Sequence, residues 1–281
     1  MRIAVVSDIH SNLEAFQTVL ADIDGSGVDH LVSLGDNIGY GPDPEEVLRL
    51  IRLRQVPSVM GNHELGAVDA SLRSWFNPSA LRSLEINREM LSTVSLDWIR
   101  TLSPAFVVGE CLFVHGFPPD SITTYLFNAS DGKLRSVFPL IDQEICFVGH
   151  THDLKLIAFD GCSVRHARLP EGQTPLRRGL KYLINAGSVG QPRDGDNRAK
   201  YLIWDSQSRR LEVRFLSYDF ARTVKKILTL GLPRINADRL WCGSFRTTPE
   251  WVVIPCPPWV LIESTVHHPG GIKAISRGLR P

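Results

Sequence analysis

Five short blocks of this chain combine imidazole, carboxylate and amide side chains with glycine. They are Asp8-Ile9-His10, Gly35-Asp36-Asn37, Gly61-Asn62-His63-Glu64, His115-Gly116 and Gly149-His150-Thr151-His152. Mixed imidazole and carboxylate donors suit divalent first-row metals better than calcium. No cysteine accompanies them, which disfavours a structural zinc site. Read as extended segments, Asp8-x-His10 and His150-x-His152 would each project two donors to one side. The glycines at 35, 61, 116 and 149 would let the backbone turn sharply and approach an ion or a phosphate. Any one block recurs freely by chance. Five in order, each after an apolar run, are hard to explain as packing, because buried ionisable groups need partners. His30 and His166 lie outside this pattern and read as structural or surface residues, as does the His267-His268 pair. Lys225-Lys226 and Arg177-Arg178 read as solvated charge.

The elements that must position these blocks follow from periodicity. Residues 3–6 form a short apolar run that reads as a buried strand. Residues 12–23 place Leu13, Phe16, Val19, Leu20 and Ile23 at helical spacing. Residues 30–34 read as a second strand, residues 44–53 as a helix opened by Pro44, and residues 56–60 as a third strand. This βαβαβ order predicts a largely parallel sheet with helices on it. Residues 65–102 read as helical and as lying near the rim of the site, and residues 106–115 as a hairpin around Gly109-Glu110. Further strands are expected at 145–148, 154–158, 182–184, 199–204 and 211–216, with a helix at 220–230. The second half would thus supply an antiparallel or mixed sheet facing the first. Four of the blocks then follow strands and His115 follows the hairpin. In open α/β sheets, ligands bind beyond the carboxyl ends of the strands.

Composition narrows the class. The 281 residues are 43% hydrophobic and 22% charged, enough to bury a large core. Lys and Arg number 31 against 30 Asp and Glu, so no charge excess points to a dedicated nucleic-acid binder. A metal site would supply its own positive charge toward a phosphate. The five cysteines are odd in number and never spaced C-x-x-C, so neither a disulfide framework nor a zinc ribbon is expected. The opening apolar run is too short for a signal peptide, and no stretch approaches a membrane span. A cytoplasmic protein with no membrane association is the expectation. Residues 1–243 read as one domain and 244–281 as an irregular Pro-rich tail without an assigned role.

The five blocks, in this order, resemble the calcineurin-like metallophosphoesterase superfamily. The stretches Asn37-Ile38-Gly39-Tyr40-Gly41-Pro42-Asp43-Pro44 and Asn185-Ala186-Gly187-Ser188-Val189-Gly190-Gln191-Pro192-Arg193 look most like its small prokaryotic phosphodiesterase branch. The resemblance spans about residues 1–243. It implies an α/β fold, a two-sheet β-sandwich flanked by helices in four αββα layers. It also implies two divalent ions per chain, manganese being the first choice and nickel, iron, magnesium and zinc the alternatives. Asp8, His10 and His152 would bind one ion, Asn62, His115 and His150 the other, and Asp36 both. His63 would stand near the leaving-group oxygen as general acid or transition-state stabiliser. Other branches carry Asp and Arg shortly after the Gly-Asp. Here Gly39 and Tyr40 occupy those places, which disfavours a protein phosphatase and leaves His63 without an evident orienting carboxylate.

The expected activity is hydrolysis of a small phosphodiester by a hydroxide bridging two ions about 4 Å apart. A phosphomonoesterase and a non-catalytic metal-binding scaffold on the same fold are the alternatives. A complete donor set weighs against the scaffold. A homo-oligomer is compatible with the sequence.

Overall fold

The computed structural model describes residues 1–244. The expected tail over 244–281, with its His267-His268 pair, lies almost wholly outside the described residues. In chain order the first part comprises β1 (Arg2–Val6), α1 (Leu13–Asp24), β2 (His30–Ser33), α2 (Pro44–Leu53), α3 (Asn62–Val68), α4 (Pro78–Met90) and α5 (Thr93–Arg100). Next come β3 (Ala105–Val108), β4 (Cys111–Val114), α6 (Asp131–Val137), β5 (Ile145–Val148), β6 (Leu154–Phe159), β7 (Val164–Arg168) and β8 (Gly172–Pro175). The last elements are β9 (Lys181–Ala186), β10 (Ala199–Asp205), β11 (Arg210–Leu216), α7 (Phe220–Thr229) and α8 (Arg234–Ser244).

Two mixed sheets face one another. One has five strands in the order β2-β1-β10-β11-β8, the other six in the order β3-β4-β5-β9-β6-β7. Both faces of each sheet are covered, so the central strands are nearly continuous apolar runs. Along β1, Ile3 and Val5 enter the layer between the sheets with Phe113, Phe147, Ile184 and Trp204. Ala4 and Val6 point the other way, to Phe16, Val19, Leu20, Leu48 and Ile51 of α1 and α2. Along β5 the same alternation sends Ile145 and Phe147 inward and Cys146 and Val148 outward, to Leu134 and Val137 of α6. Burying one such large apolar side chain stabilises the fold by about 1.5–3 kcal/mol, so these three layers dominate its energetics. Cys111 and Cys146 are part of the packing, and Cys162 is exposed. No described helix is long and apolar enough to cross a membrane.

Two expectations about the sheets need correction. Only β1 and β2 run parallel in the five-stranded sheet; β10, β11 and β8 join antiparallel. The chain returns from its second half to lay β10 against β1, so that half serves both sheets. Nor do residues 56–60 form a strand. They make single bridges, Ser58 to Ser33 and Val59 to Ser103. Pro57 has no N–H to donate to a ladder, and its carbonyl merely accepts from Ser33 N. The block beginning at Gly61 therefore opens α3 instead of closing a strand. The helix at α1 starts as its sequence dictates, with Asn12 accepting from Ala15 N as N-cap. Helices α6 and α8 and the edge strands β7 and β8 are absent from the periodicity reading, being short or largely exposed on one face.

Candidate metal centre

The ligand-type residues gather where β1, β2, β4 and β5 end and α3 begins. Three groups of donor atoms lie within 4.8 Å of one another: Asp8, His10 and His152; His10, Asp36 and His63; and Asp36, His115 and His150. Asp36 belongs to two of them. Its Oδ2 lies 3.3 Å from His115 Nε2 and 3.8 Å from His10 Nε2. Asn62 Oδ1 lies 3.2 Å from His115 Nε2, on the side of His150. The structure thus brings together Asp8, His10, Asp36, Asn62, His63, His115, His150 and His152, all sequence-derived candidates.

The local backbone reaches this arrangement differently from the extended-segment reading. Asp8, His10, Asp36, His150 and His152 all have φ between +49° and +69°, as do Ser11 and Tyr40. Only Gln55 and Arg209 share this conformation elsewhere among described non-glycine residues. Left-handed backbone is costly for such residues, roughly 1–3 kcal/mol each, and persists where surrounding contacts over-determine it. Here the turns, not strand alternation, bring Asp8 beside His10 and send His150 and His152 into different donor groups. The contacts that hold them are visible: Asp8 N donates to Gly35 O, His10 N to Asp36 O, and His150 N to Asp8 Oδ2.

Four of the cluster histidines are turned by backbone carbonyls. His10 Nδ1 donates to Ile38 O at 2.9 Å, His115 Nδ1 to Leu34 O at 2.7 Å, and His152 Nδ1 to Gln191 O at 2.5 Å. His150 is the exception, its Nε2 donating to Thr123 O at 3.2 Å while Nδ1 faces His115. Such partners fix the tautomer and leave the other nitrogen as a lone pair. Those lone pairs converge. His10 Nε2 and His152 Nε2 lie 3.1 Å apart, and Asp8 Oδ1, buried without a hydrogen bond, lies 3.3 Å from His152 Nε2. Acceptors this close repel unless a cation sits among them. The donor set therefore fits divalent metal ions on each side of Asp36.

The electrostatics agree. Burial opposes the charge on Asp36, yet the His115 and His63 rings hold its carboxyl well below the usual carboxylate range. Burial alone would raise Asp8 as well, but His152 and His115 keep it lowered. Burial pulls His115 down, but the Asp36 carboxylate outweighs it and lifts the imidazole to about 9. That proton occupies a place a metal would take, so metal binding would release it. Burial pushes His150 down to about 3.

Glu64 is a functional residue the sequence reading left without a role. Its carboxylate accepts from Asp36 N, Asn37 N and Gly61 N, clasping the Gly-Asp loop to the start of α3. Burial and the Asp36 charge raise it to about 7. Its place three residues after the Gly61 cap was the available signal. The carbonyls of Ile38, Gln191 and Thr123, by contrast, carry no signal in sequence.

His63 is held without a carboxylate. Burial brings it down to about 4, and its Nδ1 is buried with no hydrogen-bond partner. Its backbone N donates to Asp36 Oδ1, and its ring packs edge-on against Phe76 and beside Tyr40 at centroid distances of 5.0 and 4.8 Å. Gly39 makes this packing possible. It has φ +93°, and a Cβ there would fall 2.1 Å from His63 Nδ1. The glycine in place of a carboxylate thus has a steric reason. His30 is exposed and His166 pairs with Asp131 on the surface, as expected.

A cavity of about 320 Å³ opens over the cluster. Asp36, Asn62, His63, His150 and His152 form its floor; Tyr40, Leu65, Leu72, Trp75, Phe76, Ala80, Thr123, Tyr125 and Arg193 line its walls. The rim role expected for the segment after residue 65 is met by Leu65 through Ala80, while Trp98 packs into the helical layer.

A sequence model of the calcineurin-like phosphoesterase superfamily domain matches residues 1–209. An uncharacterized protein of Methanocaldococcus jannaschii is 36% identical over 248 residues, covering 86% of this chain and 98% of that relative. The crystal structure of a metallophosphoesterase from Sphaerobacter thermophilus is 32% identical with a TM-score of 0.74, over 86% of this chain and 100% of that one. A hypothetical protein of Pyrococcus horikoshii, 17% identical, superposes with a TM-score of 0.70 over 86% of this chain and 98% of its own, a likeness of fold alone.

Proposed function

This chain belongs to the calcineurin-like phosphoesterase superfamily, and on that premise we propose that it is a dinuclear metal-dependent phosphodiesterase. The observation that carries the reading is the convergence of imidazole, carboxylate and amide donor atoms around Asp36. Asp8, His10 and His152 would hold one divalent ion and Asn62, His115 and His150 the other, with Asp36 available to both; manganese is the first choice. When bound, two such ions supply a water acidic enough to ionise near neutrality and positive charge against the phosphoryl oxygens.

The remaining work falls to the chain. Ile38, Leu34 and Gln191 carbonyls keep the imidazole lone pairs aimed inward, so no reorganisation is needed as charge develops. His63, neutral at physiological pH, gives a hydrogen bond to the leaving oxygen rather than a full proton. Leu65, Leu72, Trp75 and Phe76 offer an apolar wall to an organic substituent. Among the described residues Arg193 is the one Lys or Arg side chain lining the cavity, a better match for a diester monoanion than for a monoester dianion.

The test is turnover of bis-p-nitrophenyl phosphate beside p-nitrophenyl phosphate by metal-stripped protein, with and without manganese. Manganese-dependent hydrolysis with the diester preferred is expected. Preference for the monoester would make the protein a phosphatase, and inertness toward both with every metal tried would favour a scaffold.

A further inference from the structure

The loop after Asp36 carries no Lys or Arg between residues 37 and 46, and Tyr40 stands at its turn. An arginine nevertheless lines the cavity, from a segment 153 residues further along the chain. We propose that Arg193, carried by the turn after β9, is the side chain that grips the substrate's phosphoryl group. This rests on the phosphoesterase reading above.

The turn is fixed to the metal-ligand floor. Val189 N donates to Ser7 O and Gly190 N to Asp8 O, while Ser188 Oγ donates to Asp8 O at 2.8 Å and accepts from Gln191 N. A Cβ on Gly190 would fall 1.7 Å from Ile9 O, so the turn lies directly on the Asp8–His10 loop. Gln191 O orients His152. Arg193 follows two residues later, so its Cα is tied to the candidate ligands through short backbone links. Its guanidinium reaches Tyr40, Nη2 donating to the phenol oxygen at 3.4 Å, and the Tyr40 ring lies 4.6 Å from His10 and 4.8 Å from His63 between centroids.

The guanidinium is also uncommitted. The adjacent acids are taken: the buried Lys200 holds Asp194 at 2.9 Å, and Arg198 holds Asp196. Among the described residues no carboxylate pairs with Arg193. A second guanidinium, Arg239 of α8, also lies 6.0 Å from the Tyr40 ring, and it too has no carboxylate partner among them. Burial, then the nearby Arg193, lowers its pKa. Two unpaired cations around one phenol, beside a metal-ligand cluster, favour an anion in the cavity. The planar fork of Arg193 matches two phosphoryl oxygens, which a lysine would not. Tyr40 is then a spacer that holds Arg193 beside the floor. Among the described residues, a purely structural Arg193 would have only a 3.4 Å hydrogen bond and a 6.0 Å ring contact to show for its ordering.

The experiment uses the full chain loaded with manganese, comparing wild type with Arg193→Gln, Arg193→Lys and Arg193→Ala. Arg193→Gln should lower kcat/KM on bis-p-nitrophenyl phosphate by about 100-fold and weaken inorganic phosphate, titrated by calorimetry, by at least about 10-fold. Metal content and melting temperature should stay at wild-type values. Arg193→Lys should recover only part of the loss, and added guanidinium should restore turnover to Arg193→Ala. Arg193→Gln with wild-type turnover and phosphate affinity overturns the proposal while leaving the phosphodiesterase reading intact, and loss of bound metal in that variant also overturns it. If wild type hydrolyses neither ester, calorimetry still decides: phosphate bound by wild type and lost in Arg193→Gln supports Arg193, whereas equal binding, or none to wild type, refutes it.

Discussion

On the floor of the cavity, His10, His115 and His152 each commit one ring nitrogen to a backbone carbonyl, Asp36 is 1% exposed, and the backbone is held in left-handed turns. On the apolar wall, Trp75 is 67% exposed at the end of the 3₁₀ helix Ala70–Trp75. The floor is over-determined and the wall is loosely held. Chemistry that depends on sub-ångström placement of donors needs the first kind of construction. Recognition of a substituent tolerates the second, because an apolar contact has no fixed direction. His63 belongs to both: its backbone is tied to Asp36, and its ring is held by the wall residues Phe76 and Tyr40.

This contrast predicts a graded series of effects. The greatest is at Asp36, the donor shared by both groups. Asp36→Asn should lower turnover by more than ~10³-fold, since a single preorganised donor is commonly worth 10²–10³ and this one belongs to two of the three donor groups. Metal analysis should show loss from both positions. Manganese at 100 times its dissociation constant should stabilise wild type by about 2.7 kcal/mol, a gain the variant should lack in thermal melts. Asp36→Asn retaining both ions would break the picture of a floor built around one carboxylate.

His63→Ala comes next. A loss of roughly 10²–10³-fold in kcat is expected on an ester with a poor leaving group, with metal content unchanged. A nitrophenyl ester should show a smaller loss, because its leaving group needs little stabilisation. Equal losses on both would move His63 from the leaving group to the floor.

The smallest effect belongs to the apolar wall. Trp75→Ala should raise KM for an aryl diester by about 5–10-fold and leave kcat within about 2-fold, as expected for contact energy shared by substrate and transition state. A kcat loss comparable to that of His63→Ala would show that floor and wall are not separable.

Several of these features could be read before any coordinates. The strands β1, β2, β5, β9, β10 and β11, the hairpin of β3 and β4, and helices α1, α2 and α7 all follow from apolar periodicity and turn residues. The metal-type residues stood out because ionisable side chains clustered after apolar runs need a reason. The third strand failed because one proline and a helix-capping glycine outweighed a β-rich composition. The edge strands β7 and β8 escaped because exposed strands carry little alternation. The extended reading of Asp8-x-His10 failed because spacing in sequence does not reveal φ.

The amino-acid sequence by itself determined the donor types, their order, and the buried strands that carry them to one end of the sandwich, since burial and donor chemistry belong to individual side chains. Tertiary structure alone decided the left-handed turns, the carbonyls that aim each imidazole, the packing of Gly39 on His63 and the arrival of Arg193 beside Tyr40. Each of these joins backbone or side-chain groups far apart in the chain, and such contacts exist only once the two sheets have closed on each other.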